Sequence, residues 1–308
     1  MNSHINPLDK LDARSCPVCG ADSQKARPFL ERSIDLSRIT DASFASRKLP
    51  EYMSHRLVRC ADCTTIYAAE GPPPEVLAAV YRGASYDTAV EAEMAATTYA
   101  NLMAPHVSLM AHRGALLEIG TGTGVFLARM EKAGFETRIG VEPSQAAIEA
   151  ADPAVKPLIR EGIFDRRDFA PGSISMICCF QTLEHVPDPR QLVEDAYSLL
   201  EPGGLLALIT HNADGALNRL LGRRSPIIDI EHLQLFTPDN MRYLLGKAGF
   251  QRIDVESLRN TYPLRYWLRL APLPMKQKIL NIADAAGVGA LNLSVNVGNI
   301  VTTAWKAA

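Results

Sequence analysis

A chain of 308 residues that is 47% hydrophobic, 21% charged and 6% aromatic has the make-up of a folded globular protein of about two domains, which excludes a disordered or fibrous chain. With 32 Lys plus Arg against 34 Asp plus Glu and a formal net charge of −2, it lacks the basic surplus of a protein that coats nucleic acid. The amino-terminal MNSHINPLDK has no apolar signal segment, and no run nears the ~18 apolar residues of a membrane span, so the expectation is a soluble, cytoplasmic protein.

The first chemical signal is a pair of C-x-x-C knuckles, Cys16/Cys19 and Cys60/Cys63. Thiols two residues apart on tight turns point at one centre, and two such knuckles make a tetrahedral Zn²⁺ site. A reducing compartment disfavours disulfides, and a thioredoxin-like centre needs one such pair in a different context. With all four positions taken by thiolates, the zinc is expected to be structural. The 40 residues between the knuckles suggest a finger-like insertion. Residues 1–70 therefore read as a zinc-ribbon-like module.

GPPP at 71–74 stiffens a boundary, and 71–110 reads as a linker and helical segment. Strand and helix then alternate, the signature of a parallel sheet. ALLEIG (115–120) is the first strand and GVFLARMEKAG (124–134) its helix, closed by Gly134. TRIGVE (137–142) is the second strand, followed by the helix PSQAAIEAA with Pro143 in its first turn. A weaker third strand falls near PLIREG, and SISMICCF (173–180) is a fully buried fourth. Neighbouring residues of a strand face opposite ways, so Cys178 and Cys179 are core fillers. DPRQLVEDAYSLLEPGG is a helix broken at Pro-Gly-Gly, LLALIT (205–210) the fifth strand, and TPDNMRYLLGKAGF (237–250) a capped helix. The strand QRIDVESL follows, and NIVTTAW is a last strand. The core spans 111–256, with 257–308 a C-terminal lid and last strand.

The turn after the first strand reads Glu118-Ile119-Gly120-Thr121-Gly122-Thr123-Gly124, and Val125 stands where a dinucleotide fingerprint would place glycine. Glu142 ends the second strand, placed to accept hydrogen bonds from both hydroxyls of a ribose. Further along stand Thr182-Leu183-Glu184-His185-Val186-Pro187-Asp188-Pro189, then Leu200-Glu201-Pro202-Gly203-Gly204, then EHLQLFTPDNMRYLLGKAGF. In this order, these motifs resemble class I S-adenosylmethionine-dependent methyltransferases. The resemblance implies an α/β fold with a Rossmann-like, seven-stranded, mostly parallel sheet. It also implies that the backbone of Gly120, Gly122 and Gly124 holds the methionine portion of the cofactor, with Glu118 bracing the loop and Glu142 on the ribose. The segment 161–164, Ile163 within it, would lie against adenine, and Gln181 joins the cofactor-binding set. Ser175 departs from the family, which usually has Asp there.

With its cysteine module, the chain resembles bacterial methyltransferases carrying an N-terminal zinc ribbon, many tied to glycan or envelope biosynthesis. The implied acceptor is a small molecule, a hydroxyl of a saccharide or envelope precursor, nucleotide- or lipid-linked. Ubiquinone-type O-methyltransferases share the Leu-Glu-His stretch, and some use a pattern E-x-x-E-H-x-x-x-H for a metal. The corresponding Gln181, Glu184, His185 and Pro189 keep two of the four ligands, which argues against catalytic magnesium. Methyl transfer to a hydroxyl gains from proximity and from a general base. His185 and His232 are the candidate bases, and His211 is a residue that shapes the pocket. The segment 261–280 is a helix over the substrate mouth, or a basic amphipathic contact with a membrane surface. An RNA methyltransferase is a competing reading, weakened by 10 Lys plus Arg against 9 Asp plus Glu in the first 70 residues. A non-enzymatic cofactor- and zinc-binding module is another, opposed by the intact glycine loop.

Overall fold

The computed structural model describes residues 11–45, 51–86, 89–271 and 273–308, so the whole of MNSHINPLDK lies outside the described residues. Seven strands form the main sheet, in the spatial order Gln251–Pro263, Asn292–Trp305, Leu200–His211, Ile174–Phe180, Ala115–Ile119, Thr137–Glu142, Ile159–Glu161. The last five in that row run parallel, and Asn292–Trp305 is antiparallel to both its neighbours. This is the Rossmann-like arrangement expected from the sequence.

Ile174–Phe180 is buried along its whole length, as a strand covered on both faces must be. Its two cysteines face opposite layers: Cys178 packs with Phe126 and Met103, Cys179 with Leu183 and Leu192. Ser175, in the place of the usual Asp, accepts the Gly114 amide at 2.9 Å through its hydroxyl. Three boundaries differ from expectation. Ser144 caps the helix Gln145–Glu149 by accepting the Ala147 amide, which leaves Pro143 outside it. The fifth strand starts at Leu200, because the Pro-Gly-Gly step is taken up as a register shift between Leu200 and Leu205. The strand after Phe250 continues to Pro263, drawn out by its long partner Asn292–Trp305.

The segment between the cysteine module and the first strand holds two helices, Pro74–Arg82 and Ala89–Leu109. The basic-aromatic stretch near the end folds as Leu264–Leu270 and Lys276–Ala285, with Tyr262, Tyr266 and Trp267 meeting tilted or edge-on at ring distances of 4.3 to 5.3 Å. Among the described residues, no helix is long and apolar enough to cross a membrane.

A second sheet joins the cysteine-bearing segment to the core. Its strands Arg27–Leu30, Leu57–Arg59 and Ile66–Ala68 are completed by Gln234–Leu235, which comes from the far side of the core sequence. Cys16, Val18, Cys60 and Tyr67 share one apolar cluster with Leu183, Phe236 and Met241.

Candidate active site

At the carboxyl ends of the parallel strands lies a cavity of about 800 Å³, within the range of small-molecule sites. The glycine loop forms part of its wall. Gly120, Gly122 and Gly124 all take left-handed backbone, at φ 74°, 57° and 71°. The three glycines are not equivalent. A Cβ on Gly120 would sit 2.4 Å from Thr182 Oγ1, whereas one on Gly122 would meet nothing within 4 Å. Gly120 is small because protein packs on it. Gly122 faces open space.

The Glu142 carboxylate accepts the Gly122 amide at 2.7 Å on one oxygen and the Ser144 amide at 2.9 Å on the other. A carboxylate has about four acceptor positions, so each oxygen keeps one for a ligand hydroxyl. Burial raises its pKa, and those two amides oppose the rise. Glu118, beneath the loop, is held by the Thr121 hydroxyl. Its carboxyl is pushed up to about 8, mainly by burial, with the Thr121 hydrogen bond pulling down and the Glu142 charge adding to the rise. Ile163, half exposed, and Gln181, at φ 49°, also line the cavity.

Three histidines face the same cavity. The His185 and His232 rings are 5.0 Å apart and nearly perpendicular, and His211 lies 5.1 Å from His232. His211 Nδ1 meets Asn299 Oδ1 at 2.7 Å, and its amide donates to Glu184 Oε1 at 2.6 Å. One oxygen of Glu184 thereby braces the end of the fifth strand. His185 Nδ1 lies 2.9 Å from the Tyr81 hydroxyl and 3.6 Å from Glu231 Oε2. The structure thus brings both sequence-predicted catalytic histidines together beside the glycine loop.

A profile described as the methyltransferase domain matches residues 91–255, more than half of the chain. The chain belongs to this methyltransferase-domain family. A ubiquinone biosynthesis O-methyltransferase from Psychrobacter arcticus is 29% identical to it over 172 residues, 50% of this chain and 65% of that protein. One of the same name from Xanthomonas campestris pv. campestris is 33% identical over 155 residues, 46% of this chain and 65% of that protein. The chain therefore covers slightly less than two thirds of these relatives' length. Among solved structures, the YcgJ protein from Bacillus subtilis aligns with a TM-score of 0.48 at 16% identity, over 68% of this chain and 98% of that one.

The match starts within the helix Ala89–Leu109, so the four-cysteine cluster lies outside the methyltransferase domain proper. Cys16 Sγ and Cys63 Sγ are 3.4 Å apart, Cys19 Sγ and Cys60 Sγ 3.5 Å, and all four sulfurs lie within 4.8 Å of one another. A tetrahedral Zn²⁺ with ~2.3 Å bonds would place its sulfurs ~3.8 Å apart, so this donor set fits zinc with little movement.

Glu231, Tyr81 and Asp229 were not singled out by the sequence, yet all line the cavity of the methyltransferase domain. The only sequence signal for Glu231 was its place before His232 at the head of EHLQLFTP.

Proposed function

We propose that the protein transfers a methyl group from S-adenosylmethionine to a hydroxyl of a small molecule. The observation that carries this reading is one cavity that joins the glycine loop and Glu142 to the His185–His232 pair. The residues present fit the cofactor. Glu142 offers its two remaining acceptor positions to a vicinal ribose diol, Gly122 leaves room for the ligand to approach the backbone, and Ile163 and Phe164 offer an apolar wall to a base.

When bound, the cofactor supplies an electrophilic methyl on a sulfonium. An acceptor oxygen would bond to that carbon as the carbon–sulfur bond breaks, its electron pair staying on sulfur. The hydroxyl proton is lost as the ether forms. The chain's part is to hold oxygen, carbon and sulfur in line and to exclude water, which can supply several kcal/mol of the barrier reduction. The base that takes up the hydroxyl proton is His185 or His232, whose rings stand 5.0 Å apart on the cavity wall.

The acceptor is flat on one face and bears several oxygens, because aromatic rings (Tyr99, Tyr262, Trp267) share the cavity with polar Asp229, Asn260 and Asn299. A sugar ring and a hydroxylated aromatic ring both meet that description. Saccharide envelope precursors, including nucleotide- or lipid-linked ones, are therefore screened beside the intermediates of ubiquinone biosynthesis to which the relatives' name points. Zinc at Cys16, Cys19, Cys60 and Cys63 is proposed as structural, in a cytoplasmic enzyme.

The test is calorimetric titration with S-adenosylhomocysteine of the zinc-loaded protein, Gly122→Arg and Glu142→Ala. Micromolar binding that both variants lose supports the reading. A folded wild-type protein that does not bind overturns it.

A further inference from the structure

We infer that a second cavity, walled by the cysteine module on one side and the methyltransferase domain on the other, binds a small molecule through a phosphate or diphosphate group. Its volume is about 750 Å³, again within the range of small-molecule sites. It lies apart from the cavity of the glycine loop, and among the described residues only Asn218 and Ile227 line both.

The floor is one face of the second sheet. Arg59 stands opposite Ile66 across one strand pair, and Ile66 stands opposite Leu235 across the next, so the three side chains share a face. The wall comes from residues 219–228, where Ile227 and Ile228 pack in the same apolar cluster as Ile66 and Leu235. Neither unit makes this cavity alone. Phe29, on the edge strand Arg27–Leu30, adds an aromatic ring that is 42% exposed.

The charge pattern identifies the ligand class. Arg59 lines the floor, and Arg219 and Arg223 line the wall. Among the described residues, none of these three arginines forms an ion pair. Arg59 is held by the Thr64 carbonyl at 3.4 Å and lies over the Phe29 ring, 5.2 Å from its centroid. Arg27 stands directly opposite Arg59 across their strand pair, and like charges so placed destabilise a sheet. Two carboxylates, Glu31 and Asp214, line the same cavity without pairing to these arginines.

With Arg27 beside them, four guanidinium groups stand against two carboxylates, so an anion gains here and a free cation is repelled. Guanidinium forks match pairs of phosphate oxygens, which selects a phosphate ester among anions. The apolar floor and Phe29 suit a ligand with an apolar or aromatic body, and Glu31 and Asp214 are left to accept from its hydroxyls. Two sources supply such a group. One is the methyl acceptor itself, reaching past Asn218 and Ile227. The other is a separate phosphorylated metabolite.

The test adds 4-fluorophenyl phosphate to the zinc-loaded protein, without cofactor, and reads binding by fluorine nuclear magnetic resonance. Saturable binding is the expected result, weakened about fivefold or more by Arg59→Gln and by the paired change Arg219→Gln with Arg223→Gln. Arg242→Gln, exposed on the helix Pro238–Lys247 and outside the cavity, removes the same charge and leaves the affinity as it is. No saturable binding by wild type, equal binding of neutral 4-fluorophenol, or an equal loss in Arg242→Gln overturns the site. Thermal melts show that the variants are folded. A phosphate-bearing acceptor that displaces the probe identifies its own tail as the occupant, and an acceptor methylated while the probe stays bound identifies a separate ligand. Probe binding needs neither cofactor nor acceptor, so failure of the methyl-transfer reading leaves this result standing.

Discussion

Arg14 donates to Gln234 Oε1 at 2.7 Å, which ties the cysteine module to the side chain that braces the turn carrying His185. The same guanidinium donates to the carbonyls of Leu233 and Pro187 at 2.9 Å each and of Ala68 at 3.2 Å, while the other end of Gln234 holds three carbonyls of the turn. Burial pulls the Arg14 pKa down to about 10, with Asp188 opposing the fall, so the group stays charged in the physiological range.

Removing Arg14 strands several buried carbonyls at about 1–3 kcal/mol each. Arg14→Met is expected to lower unfolding free energy by about 2–4 kcal/mol, and Gln234→Met by a similar amount. The double variant should fall well short of the sum, because each single change breaks the shared contact. Urea unfolding of the four proteins checks this, and strict additivity would refute the coupling.

The glycine loop separates packing from ligand access. Gly120→Ala should cost about 2–3 kcal/mol of stability, because its left-handed backbone and its contact with Thr182 both oppose a side chain. Gly122→Arg should cost about 1–2 kcal/mol from backbone strain alone, yet abolish S-adenosylhomocysteine binding. Thermal melts beside calorimetry distinguish the two. Equal melting losses at both positions would contradict the difference in surroundings.

Glu118 makes stability depend on pH. Its folded-state pKa of about 8 stands above its ordinary value of 4.5. Between those values the folded chain holds more of this proton than the unfolded chain, so the contribution is full below about 4.5 and is lost as pH rises to about 8. The slope is at most about 1.4 kcal/mol per pH unit. Glu118→Gln removes it, so the variant should gain on wild type in melting temperature from pH 5 to pH 8. Parallel profiles would show that Glu118 does not titrate in this window.

Zinc removal should be felt across the module boundary. Chelation, or Cys60→Ser, is expected to lower the melting temperature by ~5–10 °C, a few kcal/mol for a chain of this size. Amide exchange should quicken in Ile66–Ala68 and in Gln234–Leu235, which pair with each other. Quickening confined to the residues around the cysteines would mean that the second sheet stands without the metal.

The legible parts of this chain were those whose signals are local. Ile174–Phe180 announces itself by an unbroken apolar run, the glycine loop by its alternation, and the cysteines by their spacing. Gln234–Leu235 is two residues long and carries no period, so nothing in it tells that it pairs with a strand ending at Ala68. The start of the fifth strand at Leu200 was hidden by Pro202 and its glycines, which read as a break and act as a register shift. The meeting of His185 with Glu231 and His232 is a tertiary event between two turns. The two histidines were visible one by one, and neither Glu231 nor the distances between the three were.

Because the second sheet takes its last strand from Gln234–Leu235, a ribosome must add some 166 residues after Ala68 before that sheet can close. Until then, three strands emerge with an unsatisfied edge at Ile66–Ala68, exposed to pairing with any neighbouring chain. Early metal capture would keep that edge in place but leave it open, so the yield of well-folded protein should depend on how quickly translation delivers the closing strand.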